Sequence, residues 1–188
     1  MSNELEEKLA NFWKRFNSIH SKAKEYFIWA EEYDEDLNTY IQPIKEHKDA
    51  LDHIVRAYSK ITSDAISSSD EKYVTDNLDK ALGHIYRAFY DCSDILSIVL
   101  RKKISDELKR FDYNELVNVW DEYPKIKLKL IELPNDFKEL RVGKDVASIN
   151  DTILDEYQNR IKWLFDIYGV LCVSVLPKAY ANKMKKKS

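Results

Sequence analysis

The chain is short of the residues that make turns. It holds three glycines and four prolines among 188 residues. Sheets and sandwiches need tight turns at short intervals, and tight turns draw on Gly and Pro. Such scarcity excludes a β-rich architecture and leaves a few long elements, which are helices. Cysteine is equally sparse. Cys92 and Cys172 stand alone in apolar helical patterns, which predicts two reduced, buried thiols in a reducing cytosol. No sign of charge dominates. A net charge of −3 argues against a wholesale nucleic-acid binder, whose domain is ordinarily distinctly basic.

The motifs of cofactor and nucleophile chemistry are missing as well. Gly83, Gly143 and Gly169 are isolated, so no Gly-rich phosphate loop exists. CxxC, HExxH and a serine elbow are absent, and with them any readable zinc site or serine nucleophile. Glu46-His47 and Asp49 with His53 lack a matching pair on a second helix. No metal and no cofactor are expected. The most apolar run, 163–180, contains Asp166 and is followed by four lysines. A membrane span needs about 20 apolar residues, so a buried C-terminal helix is expected rather than membrane attachment. The first residues, "MSNELEEKLANFWKRF", are acidic and amphipathic, unlike a secretory leader.

What is present is rhythm. Apolar residues recur every three or four positions from Leu5 through Phe12, Phe16, Ile19, Ala23, Tyr26, Ala30, Tyr33, Leu37, Tyr40 and Ile44, and again through Leu51, Ile54, Tyr58, Ile61 and Ala65. This is the period of helices packed along a seam. The pattern predicts an all-α antiparallel bundle of five or six helices, with long N-terminal, central-hairpin and C-terminal members. The first helix is placed at about 3–37, ending in the acidic run 31–36 that opposes the helix dipole. The second is placed at about 40–67 with Thr39 as N-cap and Gln42 completing a capping box. The third runs from about 70 to 110, with Asp70 as cap, and Asn114 caps a fourth. Residues 124–134 alternate like a strand and also keep the helical rhythm. With no partner strand in the chain, a helix interrupted by Pro134 is the better reading. The last helix spans about 146–182 and is kinked or shortened by Pro177. One domain of residues 1–182 with a basic tail, 183–188, is expected.

One repeat stands out. Ala50-Leu51-x-His53-Ile54-x-Arg56-Ala57 recurs as Ala81-Leu82-x-His84-Ile85-x-Arg87-Ala88. At about 100° per residue, His53 and His84 fall about 200° from the leucine of their own copy, and Arg56 and Arg87 about 140°. A hairpin turning at Ser68-Ser69 sets both histidines about 23 Å from its tip, in an approximate two-fold relation. With the apolar stripes on the shared seam, the two His-x-x-Arg dyads point away from it. They meet only if the hairpin is rotated, or if another helix or subunit joins them. Asp49, Asp52 and Asp91 stand four residues from His53, Arg56 and Arg87, as in ordinary helix-surface ion pairs.

Lys48-Asp49-Ala50-Leu51-Asp52-His53 resembles the motif of the HEPN family (higher-eukaryote and prokaryote nucleotide-binding domains). There an Arg, a polar residue and, a few positions on, a His are held on an all-helical bundle. Lys48 stands where the family has Arg, and Lys is a point charge without the bidentate fork. Arg15 to His20 has the same bare spacing. The resemblance implies RNA binding or metal-independent RNA cleavage. The histidines, His53 and His84, would act as acid or base. Arg56, Arg87 and Lys48 would position the phosphate, with Asp49 in the polar position of the motif. The residues themselves favour another reading, because no complete catalytic set is written in them. They point to a non-catalytic helical interaction or assembly protein of the cytosol, self-associating or bound to a protein partner, with RNA contact through the His-x-x-Arg edge as the alternative.

Overall fold

The computed structural model describes residues 2–36, 38–62, 66–142 and 151–185. Among these residues every regular element is helical, in the order α1 (Asn3–Tyr33), α2 (Ile41–Ile61), α3 (Ser68–Leu108), α4 (Tyr113–Val117), α5 (Tyr123–Val142), α6 (Asp151–Val170), a π turn (Leu171–Val175) and α7 (Leu176–Lys185). The described residues divide into two compact units, the first of residues 2–93 and the second of residues 94–185. The all-α expectation holds.

In the first unit α1, α2 and the N-terminal part of α3 run up, down and up. Ser2 caps α1, its Oγ accepting from the Leu5 amide, and its own amide donates to Glu71 on α3 at 2.7 Å. Tyr26 on α1 meets Phe89 on α3 with ring centroids 5.6 Å apart. α1 ends earlier than expected, at Tyr33, because Asp34 folds the chain back onto itself. Its buried carboxylate accepts from the amides of Asp36 and Asn38, the Asn38 side chain and the Tyr40 hydroxyl. The Tyr40 hydrogen bond, ahead of the others, pulls its pKa down to about 2.

α2 begins at a Tyr40 cap with no side-chain hydrogen bond, not at Thr39, and Gln42 donates to Glu46 instead. Pro43 does sit in the first turn, where its missing N–H costs nothing. α3 is capped by Ser67, whose Oγ accepts from the Asp70 amide while Asp70 accepts from the Ser67 amide. Asp70 is thus the far arm of a reciprocal cap.

In the second unit α4 is capped by Asp112 with Glu115, two residues upstream of the expected Asn114. α5 runs as one helix through Pro134, so 124–134 is helical. Arg141 and Val142 are the last residues of α5, and residues 143–150 and 186–188, which include the expected start of the last helix and the end of the basic tail, lie outside the described residues. α6, the π turn and α7 form one rod. Pro177 has no N–H to donate and its ring clashes with a carbonyl four residues back in an α-helix. The π turn just ahead of it widens the ladder, the Leu176 amide reaching Leu171, so the helix passes Pro177 instead of stopping.

This rod is long and apolar enough to cross a membrane by length and composition, and 28% of its most apolar window is buried. Leu164, Leu171, Val175 and Ala179 face the unit's core, where Tyr157 packs on Phe137. Val173 is 82% exposed and Cys172 is exposed. The expectation of a buried C-terminal helix is corrected to one buried face, and that of two buried thiols to Cys92 alone.

Candidate functional site

Two interleaved stripes run down α2. One holds Ile41, Ile44, Lys48, Leu51, Val55 and Tyr58, and the other Pro43, Glu46, Ala50, His53 and Ala57. Hydrophobicity alone sends the first stripe inward. The structure buries the second: Pro43, Glu46, Ala50 and Ala57 are buried, while Ile41, Ile44, Leu51 and Val55 are 51–69% exposed. α2 is therefore turned by about 140° from the sequence-based orientation. The physical reason lies in the facing side of α3, where Asn77, Ala81, His84 and Ala88 mirror Glu46, Ala50, His53 and Ala57 through the repeat. Alanines let the two backbones approach closely, and the polar groups between them find partners only on this seam. α3 is the central helix of the unit, so its Leu82, at 5% exposure, is buried on another side. The equivalent Leu51 is 59% exposed.

The rotation brings the two histidines together. The His53 and His84 rings stack with centroids 5.3 Å apart and an interplanar angle of 21°. His84 Nδ1 lies 2.8 Å from Glu46 Oε2, and His53 Nδ1 lies 2.9 Å from Asn77 Oδ1. The pattern crosses over. Glu46 stands seven residues before His53 and holds His84; Asn77 stands seven before His84 and holds His53. A further step of seven down α2 and up α3 pairs Lys60 with Asp70 at 3.2 Å. The repeat is thus a local two-fold axis passing between the imidazoles.

These contacts fix both tautomers. Asn77 Nδ2 donates to the Tyr73 carbonyl at 2.9 Å, so its Oδ1 is the atom turned to His53, and His53 Nδ1 must donate. Glu46 is a carboxylate acceptor, so His84 Nδ1 donates too. In the neutral form of either ring the lone pair is then on Nε2. Parallel rings do not aim two Nε2 atoms at one ion, and no cluster of three or more metal-ligating side chains exists among the described residues.

The two-fold breaks at the arginines. Arg87 Nε donates to Glu46 Oε2 at 3.0 Å, making Glu46 the shared acceptor of His84 and Arg87. The residue equivalent to Glu46 is the neutral Asn77, which gives Arg56 no charge to approach. Arg56 turns outward to Asp52 at 3.1 Å, both groups more than half exposed. Lys48 is exposed and lies 3.8 Å from Asp49. Of the six candidate residues the structure joins His53, His84 and Arg87, and leaves Arg56, Lys48 and Asp49 apart. Glu46 and Asn77 complete the cluster; their seven-residue lead over each histidine was the signal for them.

The other two histidines also pair. His20 on α1 meets His47 on α2 edge to face at 5.2 Å and stacks on Phe16. His47 Nδ1 donates to the Pro43 carbonyl at 2.7 Å, whereas His20 Nδ1 is buried with no hydrogen-bond partner. Burial, aided by His47 and Lys24, pushes the His20 pKa below its ordinary 6.5.

Compared with protein-family models, with curated proteins and with solved structures, the chain matches none.

Proposed function

We propose that this protein is a helical interaction and assembly protein of the cytosol that docks through the outward face of α2. The observation that carries this reading is the exposed row of Ile41, Ile44, Leu51 and Val55 on a helix whose other face is already satisfied. A row of four large apolar side chains at heptad spacing is a partner surface in the making. A photoreactive residue at position 51, with a control at exposed Lys80 on α3, tests it in cells. Protein adducts from position 51 and not from position 80 are expected. Equal or absent crosslinking from both sites overturns the reading.

The stacked histidines favour a second reading, an RNA-binding or RNA-cleaving site of the kind the HEPN resemblance implies. Two imidazoles with Nδ1 tied back and Nε2 open, beside the Arg87 guanidinium, have the parts for proton transfer around a phosphodiester. Cleavage of single-stranded RNA in the presence of EDTA, lost in both His53→Ala and His84→Ala, supports it. RNA left intact by the purified wild-type chain removes it.

A further inference from the structure

We infer that the outward face of α2 takes a second copy of this chain, the two α2 helices lying antiparallel in one register. This rests on the reading of that face as the docking surface and names its occupant. With Ile41, Lys48 and Val55 as one column of a seam and Ile44, Leu51 and Tyr58 as the other, the row is self-complementary about its midpoint between Asp49 and Ala50. Ile44 then meets Val55 and Lys48 meets Leu51, each layer occurring twice, and at the two ends Ile41 meets the outer edge of Tyr58, whose hydroxyl already accepts from Trp13 Nε1 on α1 at 2.9 Å. The seam is about 26 Å long.

Charge selects this arrangement. On the flank of the seam Lys45 faces Asp52 of the other copy, and Asp52 faces the other Lys45, opposite charges on both sides of the axis. In the parallel alternative the two Lys48 side chains, 76% exposed in the single chain, would share one layer. A lone lysine in a seam sets register and direction by this repulsion. In the antiparallel pair each Lys48 lays its methylenes along Leu51 and carries its ammonium out to water. The opposite face of α2, with Glu46, Ala50, His53 and Ala57, stays on α3 throughout.

A contact of this length lies at the low end of stable interfaces, so the dimer should populate above roughly 50 μM. The test uses the full chain carrying Cys172→Ser. Ile44→Cys together with Val55→Cys is expected to give a covalent dimer on mild oxidation, because 44 meets 55 across the axis. Neither single variant should crosslink. Leu51→Lys should weaken the dimer by at least about tenfold in light scattering. Lys45→Asp or Asp52→Lys alone should weaken it about threefold, and the two together should restore it. Both positions are exposed; Asp52→Lys also removes the Arg56 ion pair, but a pair this exposed contributes little to the fold. Crosslinking by Ile44→Cys alone, or charge-swap variants that fail to rescue, overturns the register. A strict monomer with in-cell adducts of another protein at position 51 overturns the inference and leaves the docking face standing. A monomer without adducts removes both.

Discussion

Glu46 holds His84 at 2.8 Å and Arg87 at 3.0 Å through a single carboxylate oxygen. It is buried, and its equivalent in the repeat is the neutral Asn77. Removing it strands one imidazole N–H and one guanidinium at the seam. Glu46→Ala should cost about 2–3 kcal/mol. Arg56→Ala, at the equivalent of Arg87 but exposed, should cost under about 0.5 kcal/mol. Urea unfolding of both variants checks the asymmetry; equal costs contradict it.

His20 makes stability depend on pH near neutrality. Its folded pKa lies below the 6.5 of the unfolded chain, so the unfolded state takes up a proton first as pH falls. The stability it supports is complete above 6.5 and drains away as pH drops from there toward the folded value. His20→Phe, which keeps a ring against Phe16, should flatten the fall in urea midpoint between pH 7 and 5.5. Parallel curves for variant and wild type contradict this.

Asp34 acts in a lower window. Its pKa is pulled from 3.8 to about 2, so its contribution is present above 3.8 and is lost as pH falls toward 2. Asp34→Ala should cost about 1–2 kcal/mol at pH 7 through the four donors it leaves unmet. The cost should vanish in unfolding curves taken near pH 2.

The two thiols should differ in reactivity. Cys172 is exposed, whereas Cys92 is buried and burial pushes its pKa up to about 12. A thiol reagent at pH 8 should titrate one group per chain at once and the second only on unfolding. Cys172→Ser should abolish the fast phase. Two fast thiols would place the α3 core in solvent.

The rods themselves were legible in the sequence. The four-three rhythm shows in α1 from Leu5 to Ala30, but it runs on through Ile44 and so does not mark the end of α1 at Tyr33, and α3 opens at Ser68, two residues before the expected cap. The orientation of α2 was not. Leu51 and Val55 outrank Ala50 and His53 on any hydrophobicity scale, and a single chain does not say on which side its neighbour lies. What decides is fit: alanines permit close approach, and Glu46, His53, Asn77 and His84 satisfy one another only across that seam. Both carry the repeat's seven-residue step, so the partners were written in the sequence as spacing, while the side on which they meet was not. Asp34 was read as one charge of an acidic run, because its four donors come from a loop no periodicity describes.

The orientation of α2 underlies everything else, and Leu51 and Leu82 test it as a matched pair. They hold the same place in the repeat, yet one is 59% exposed and the other 5%. The measurement is urea unfolding of Leu51→Ala and Leu82→Ala at dilute protein concentration, where self-association does not contribute. Leu82→Ala should cost about 2–5 kcal/mol and Leu51→Ala under about 0.5 kcal/mol. Comparable losses at the two positions would mean that α2 turns its apolar row inward, and would contradict both the histidine pair and the docking face.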